Sequence, residues 1–392
     1  MTAENSTIYL DYGAATPLDE RVRAAMEPYD RELFFNPSAA YDEARRVRSD
    51  IEQARARIAH LMGARADTIV FTAGATEANN LAFAAVSTDA HLVSDAIEHE
   101  SVLACLSARE HTVVGVEGDG RVSPQAISRA ITPRTELVSV SLANGEIGTV
   151  QPVRDIAAVV RAERAHRLEE GDMRPLWLHT DASQAALALS VNVSSLGVDM
   201  MTLSASKIYG PKQVGLLWAA DGIALAPLVA GGGQERGIRS GTENVAGIMG
   251  FARAFEIAAA ERPAETKRLA ALRSRMERAL ISAFPQAQVS GPRNARLRLP
   301  GLLHISFPGI DARRLVLLLG QAGVLAATGS ACAASKMRVS HVLSAIGMDE
   351  RTAAGSLRMT LGRATTRDEA DRATKIIIDA VSAEYARLGG AS

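Results

Sequence analysis

The chain has 392 residues, too many for one average domain, and 47% of them are apolar, enough for a sizeable core. Its 43 basic and 44 acidic side chains leave a formal net charge of -1, which argues against a broad nucleic-acid or anionic-membrane surface. Two cysteines, Cys105 and Cys332, make a poor disulfide framework; no run approaches the roughly 20 apolar residues of a membrane span, and the stretch from Met1 to Ile8 is polar, so a soluble cytoplasmic protein is expected.

Short apolar runs alternate with helical stretches through the first two thirds. Residues 44–62 read as an amphipathic helix, 68–72 and 91–95 as strands, and 137–142 as a third strand. A helix over 155–168 separates these from strands at 176–181, 200–204 and 214–219. Apolar strands alternating with helices predict an α/β fold with a mainly parallel sheet covered on both faces, right-handed crossovers, and ligands gathered at the carboxyl ends of the strands. After Gly250 the texture changes. A charged helix over about 264–284 leads to a strand at 302–307, a helix near 312–322, a loop at 329–340 and a last helix over about 367–387. No internal repeat or low-complexity tract interrupts the chain.

Five stretches carry chemistry. In Thr72-Ala73-Gly74-Ala75-Thr76-Glu77-Ala78-Asn79-Asn80 a strand turns through small residues into a helix start, whose free backbone N–H groups and Thr76 hydroxyl suit a phosphate. Many such turns bind nothing. In Leu178-His179-Thr180-Asp181-Ala182-Ser183-Gln184 a carboxylate stands at a strand end, where it could pair with a protonated ring nitrogen or simply cap a helix. In Leu203-Ser204-Ala205-Ser206-Lys207-Ile208-Tyr209-Gly210-Pro211 the next strand leads directly to a lysine, which in a closed pocket could act as an amine nucleophile and on a surface would be a solvated loop residue.

The fourth stretch, residues 231–244, combines Gly231, Gly232 and Gly233 with Arg236, Arg239 and a Ser-Gly-Thr turn ending at Thr242. It is either an anion clamp or a surface connection. The fifth places Cys332 among small residues, with Lys336 and Arg338 near enough in sequence to favour a thiolate. Cys105 lies within an apparent helix after His99 and reads as a small core side chain.

In this order and at these spacings, the stretches resemble the NifS/IscS-type cysteine desulfurases, which are fold-type I, class V aminotransferase-like enzymes that use pyridoxal 5'-phosphate (PLP). The resemblance runs from Tyr9-Leu10-Asp11-Tyr12 to about Thr366. It includes Asn36-Pro37-Ser38, Glu98-His99, Asn144-Gly145-Glu146-Ile147-Gly148 and Leu357-Arg358 to Leu361-Gly362-Arg363. It implies a large PLP-binding domain over 16–262 and a small α/β domain made of 1–15 and 263–392, carrying the cysteine loop at about 327–340.

The resemblance also implies roles. Lys207 would hold PLP as a Schiff base and move protons, and His99 would stack on the ring and help in proton transfer. Asp181 would pair with the pyridine nitrogen and Gln184 with the phenolic oxygen. Ala75, Thr76, Ser204 and Ser206 would hold the phosphate, with Thr242 reaching the PLP of the other subunit in a homodimer. Arg358, with Asn36 and Asn144 nearby, would take the carboxylate of L-cysteine. Cys332 would attack the substrate sulfur, leaving L-alanine and a persulfide for a sulfur-acceptor protein. No direct nucleic-acid or membrane contact is expected.

Several positions depart from the family pattern. Gly145 stands where a second asparagine is common, and Ala205-Ser206 where Gly-His is usual. Tyr41 and Gln234 replace histidines, and the opening Tyr-Ala-Ala-Thr is Tyr12-Gly13-Ala14-Ala15. The competing readings are another class V reaction (selenocysteine lysis, transamination or epimerisation) with Cys332 incidental, or a non-catalytic scaffold of a sulfur pathway.

Overall fold

A computed structural model describes residues 7–329 and 340–389. Twelve strands are described. Ile8–Tyr9 (β1) pairs in parallel with Val324–Leu325 (β11). A seven-stranded sheet is built from Ile69–Thr72 (β2), His91–Asp95 (β3), His111–Val114 (β4), Thr135–Ser139 (β5), Trp177–Asp181 (β6), Met200–Ser204 (β7) and Gly215–Ala219 (β8). Its order is β2-β8-β7-β6-β5-β3-β4.

β3 to β7 run parallel to one another, while β8 is antiparallel to both β7 and β2. β2 therefore points the same way as the parallel strands, and the carboxyl ends of six strands share one edge. This is the mainly parallel α/β sheet expected from the apolar runs. β2, β3, β5, β7 and β8 are buried along their whole length, as strands covered on both faces must be. β4, at the sheet edge, was not among the expected strands: His111 and Val113 are exposed, so it lacks the continuous apolar run of the others.

A second sheet, order β12-β10-β9, is antiparallel and comprises Gln288–Val289 (β9), Leu302–Ser306 (β10) and Ser356–Thr360 (β12). Its core gathers Phe284, Leu303, Ile305, Leu357 and Ile377, with Leu10 from the N-terminal segment.

The helix expected from residue 264 is the second half of one longer helix, Val245–Ala283, with Pro263 inside it. That helix gives Phe251 and Phe255 to the core of the large sheet and Leu272, Met276 and Leu280 to the core of the small one. Proline usually breaks a helix because it lacks an N–H and crowds the preceding turn. Here the packing on either side carries the helix through. The last helix, Arg367–Arg387, opens with a reciprocal capping box between Thr366 and Glu369.

Candidate active site

The carboxyl edge of the large sheet borders a cavity of about 440 Å3. From β2 the chain turns through Gly74, at φ +119°, into the helix Ala75–Phe83. That positive φ favours glycine, and a Cβ there would project into open space. The first-turn amides of a helix have no intrahelical acceptor, so this N-terminus presents donors and a positive dipole end towards Ala75 and Thr76 in the cavity wall. Ser204 ends β7, and its hydroxyl lies 3.0 Å from that of Ser206; both line the cavity.

β7 continues into a single 3-10 turn, Ala205–Lys207, which aims the lysine into the cavity. Lys207 Nζ donates to the carbonyl oxygens of Gly13 (2.9 Å) and Ala14 (2.6 Å). Gln184 Nε2 donates to the same Gly13 carbonyl at 3.0 Å. The N-terminal segment thus lines the cavity and holds two of the polar side chains expected there.

Asp181 ends β6 and lines the cavity; its Oδ1 accepts from Ser183 N at 2.9 Å and its Oδ2 from Asn79 Nδ2 at 2.9 Å. His99 caps the helix Glu100–Ser107: its Nδ1 accepts from Ser101 N at 3.1 Å and lies 2.8 Å from Ser101 Oγ. Behind these groups lie further buried titratable side chains. Burial pushes the Asp95 carboxyl up to about 7 and, with Asp95 beside it, raises the Glu98 carboxyl well above the usual range. Burial also lowers the His179 imidazole to about 4.

Arg358 enters from the middle of β12 and is 5% exposed. Nη2 pairs with Asp11 at 2.7 Å, and Nη1 donates to the Gly145 carbonyl at 3.2 Å. Glu146, 3% exposed, also lines the cavity, and burial raises its carboxyl. Asn144 lines the wall, but its side chain is engaged in the turn: Nδ2 donates to Ile97 O, and Oδ1 accepts from the amides of Glu146 and Ile147.

The departure at Gly145 has a local cause. A Cβ at this position would lie 2.8 Å from the Gln184 side chain, so the space of an asparagine is filled by Gln184. Gln234 is also accounted for. Its Oε1 accepts from Gly241 N at 2.9 Å and closes the glycine-rich loop, whose base is fixed by buried Glu235. Glu235 accepts from both Arg55 Nη atoms (2.7 and 2.8 Å) and from Phe71 N (2.8 Å).

Of the residues singled out in the sequence, Ala75, Thr76, His99, Asn144, Asp181, Gln184, Ser204, Ser206, Lys207 and Arg358 meet around one cavity. Two do not line it. Thr242 lines a neighbouring cavity that shares Ala73 and Gln213 with the first, and exposed Asn36 accepts a hydrogen bond from its own turn at Ser38 N. Cys332 lies outside the described residues. Cys105 packs partly buried against the core, and burial raises its thiol. Asn79, Ser101 and Asp11 had no role in the sequence reading, although Asp11 and Asn79 stand inside stretches it quoted.

The chemistry of these donors fits PLP. A helix N-terminus with three hydroxyls suits a phosphate, a carboxylate suits a protonated ring nitrogen, and a lysine beside both suits an aldehyde. Comparison with known proteins agrees. The family description Aminotransferase class-V matches residues 8–373. The chain belongs to this family. It is 39% identical over 372 residues to the cysteine desulfurase IscS of Dictyoglomus turgidum, covering 92% of this chain and 91% of that one. A solved NifS-like protein superposes with a TM-score of 0.87 at 32% identity, covering 96% and 99% of the two chains. A structure titled SspA in complex with cysteine superposes with a TM-score of 0.75 at 34% identity, covering 91% and 99%. The chain is a PLP-dependent enzyme of the cysteine desulfurase type.

Proposed function

We propose that the 440 Å3 cavity is where L-cysteine is stripped of its sulfur, with Cys332 as the first acceptor. The observation that carries this reading is the convergence of Lys207, Asp181, His99 and Arg358 on one cavity from four separate strands or strand ends. PLP, when bound, supplies an electron sink that makes the substrate Cα–H acidic and the C–S bond breakable. Lys207 would hold the cofactor and take up the proton released from the substrate Cα. Asp181 would pair with the ring nitrogen, and His99 would face the ring and help in proton transfer. Ala75, Thr76, Ser204 and Ser206 would hold the phosphate, and Gln184 would meet the phenolic oxygen. Arg358, released in part from Asp11, takes the substrate carboxylate as a charge-assisted pair, with Asn36 and Asn144 on the substrate side.

The Cys332 thiolate attacks the substrate sulfur. The new S–S bond replaces the C–S bond, sulfur is oxidised, and the carbon is reduced and takes a proton to give L-alanine. The persulfide then passes to an acceptor protein. The protein acts in the cytoplasm as a homodimer in which Thr242 completes the partner's phosphate cup. The large domain spans 16–262, with residues 1–15 and 263–392 forming the small one. Support comes from the cysteine desulfurase relatives and from the placement of Thr242 beside, rather than inside, its own cavity.

Incubating PLP-loaded protein with L-cysteine and a thiol reductant tests this reading. Alanine and sulfide should appear in equal amounts, and neither should form with Lys207→Ala. A protein that shows the visible PLP band yet yields no alanine would refute it.

A further inference from the structure

One side-chain amide joins two of the groups assigned above. Asn79 sits on the second turn of the helix Ala75–Phe83 and is fully buried. Its Nδ2 lies 2.9 Å from Asp181 Oδ2 and 2.9 Å from Ser101 Oγ. Ser101 Oγ lies 2.8 Å from His99 Nδ1. The orientation of the amide is fixed by chemistry: reversing it would turn its carbonyl oxygen against the Asp181 carboxylate, which can only accept. An amide has two N–H groups, and here each has one acceptor.

Ser101 Oγ accepts from Asn79 and can therefore direct its own hydrogen to His99 Nδ1. That nitrogen already accepts from Ser101 N at 3.1 Å, so it is the acceptor and Nε2 carries the ring proton. The result is a directed chain, Asn79 to Asp181 on one side and Asn79 to Ser101 to His99 on the other. It runs between three elements: the helix after β2, the carboxyl end of β6 and the cap after β3.

We propose that Asn79 is a positioning residue that fixes Asp181 and His99 in one frame, so that the groups meeting the cofactor at its nitrogen and at its ring face are set together. This rests on the roles proposed for Asp181 and His99. Asn79 touches neither substrate nor cofactor; it acts through both partners. Among the described residues the Asp181 carboxylate accepts two hydrogen bonds, the other being from Ser183 N, so Asn79 supplies one of the two that orient it.

The test uses the full chain with 15N-labelled histidine rings, and PLP as the ligand. In the parent, Asp181→Asn should move the His99 ring resonances, assigned by loss in His99→Gln. In an Asn79→Leu background, which keeps the branching and the heavy-atom count and removes the amide, the same change should leave them in place. Asn79→Leu should also weaken PLP binding about tenfold, the effect of one hydrogen bond to a charged group. Ser101→Ala cuts only the branch to His99 and should weaken binding about threefold or less, while abolishing the response of His99 to Asp181→Asn.

A packing role alone predicts that Asn79→Leu preserves both PLP affinity and the response, and that result would overturn the proposal. If Asn79→Leu fails to fold, the Ser101→Ala measurement still decides: an unchanged response of His99 to Asp181→Asn overturns the relay. Should Asp181→Asn itself leave PLP affinity unchanged, the role of Asp181 fails first, and the proposal with it.

Discussion

The two sheets hold their functional side chains in different ways. In the seven-stranded sheet Asp181 and Ser204 stand on the last residues of buried parallel strands, and Thr76, His99 and Lys207 follow within a few residues of β2, β3 and β7. Each strand is fixed by its neighbours, so its end is a rigid point. In the antiparallel sheet Arg358 projects from mid-strand, and its charge is balanced by Asp11, which arrives on the N-terminal segment. The first arrangement suits groups that must meet a cofactor at a fixed geometry. The second suits a group that exchanges one carboxylate for another when substrate enters. Changes in the large sheet should therefore damage chemistry, and changes around Arg358 should damage affinity.

Lys207→Ala should show the largest effect. Turnover should fall by about 10^4-fold or more, the scale of losing a positioned proton carrier, with folding intact by circular dichroism. Glu235→Gln comes next. Removing a charge that compensates buried Arg55 should cost about 3–5 kcal/mol of stability, read from denaturant unfolding. Arg358→Leu should raise KM for L-cysteine by roughly 100-fold through loss of a charge-assisted pair, with a smaller change in kcat. A fall in kcat alone would erase the contrast between the two sheets.

A pH effect follows from buried Asp95. The folded Asp95 carboxyl holds its proton up to about 7, whereas an unfolded aspartate releases it near 4. The folded state binds the extra proton in that interval, so this contribution to stability falls as pH rises from about 4 to 7. Asp95→Asn should gain on the parent over the same range in unfolding measurements, and parallel stability curves would contradict the assignment. The smallest effect should come from Thr366→Ala, which removes the capping box in the small unit, costing about 1 kcal/mol while leaving turnover unchanged.

What was readable in the sequence tracks the same division. Buried strands announce themselves as apolar runs, and their ends locate Asp181 and Lys207. The edge strand β4 does not, because exposed His111 and Val113 interrupt the pattern. The helix expected over about 264–284 begins earlier, at Val245, because packing on two cores carries it past Pro263. Gly145 reads as a departure from the family pattern; in three dimensions its missing side chain makes room for Gln184. Asn79 was invisible as a functional residue because its partners, Asp181 and Ser101, lie 102 and 22 positions away. Thr242 and Asn36 carry motifs of the family yet stand outside this cavity within one chain.

The most direct test of the account is a single turnover without reductant, comparing the parent with Cys332→Ala. The account predicts one alanine per active site and one extra sulfur atom, by mass, on the peptide containing Cys332, with neither in the variant. Alanine formed equally well by Cys332→Ala would contradict it and leave the sulfur without its first acceptor.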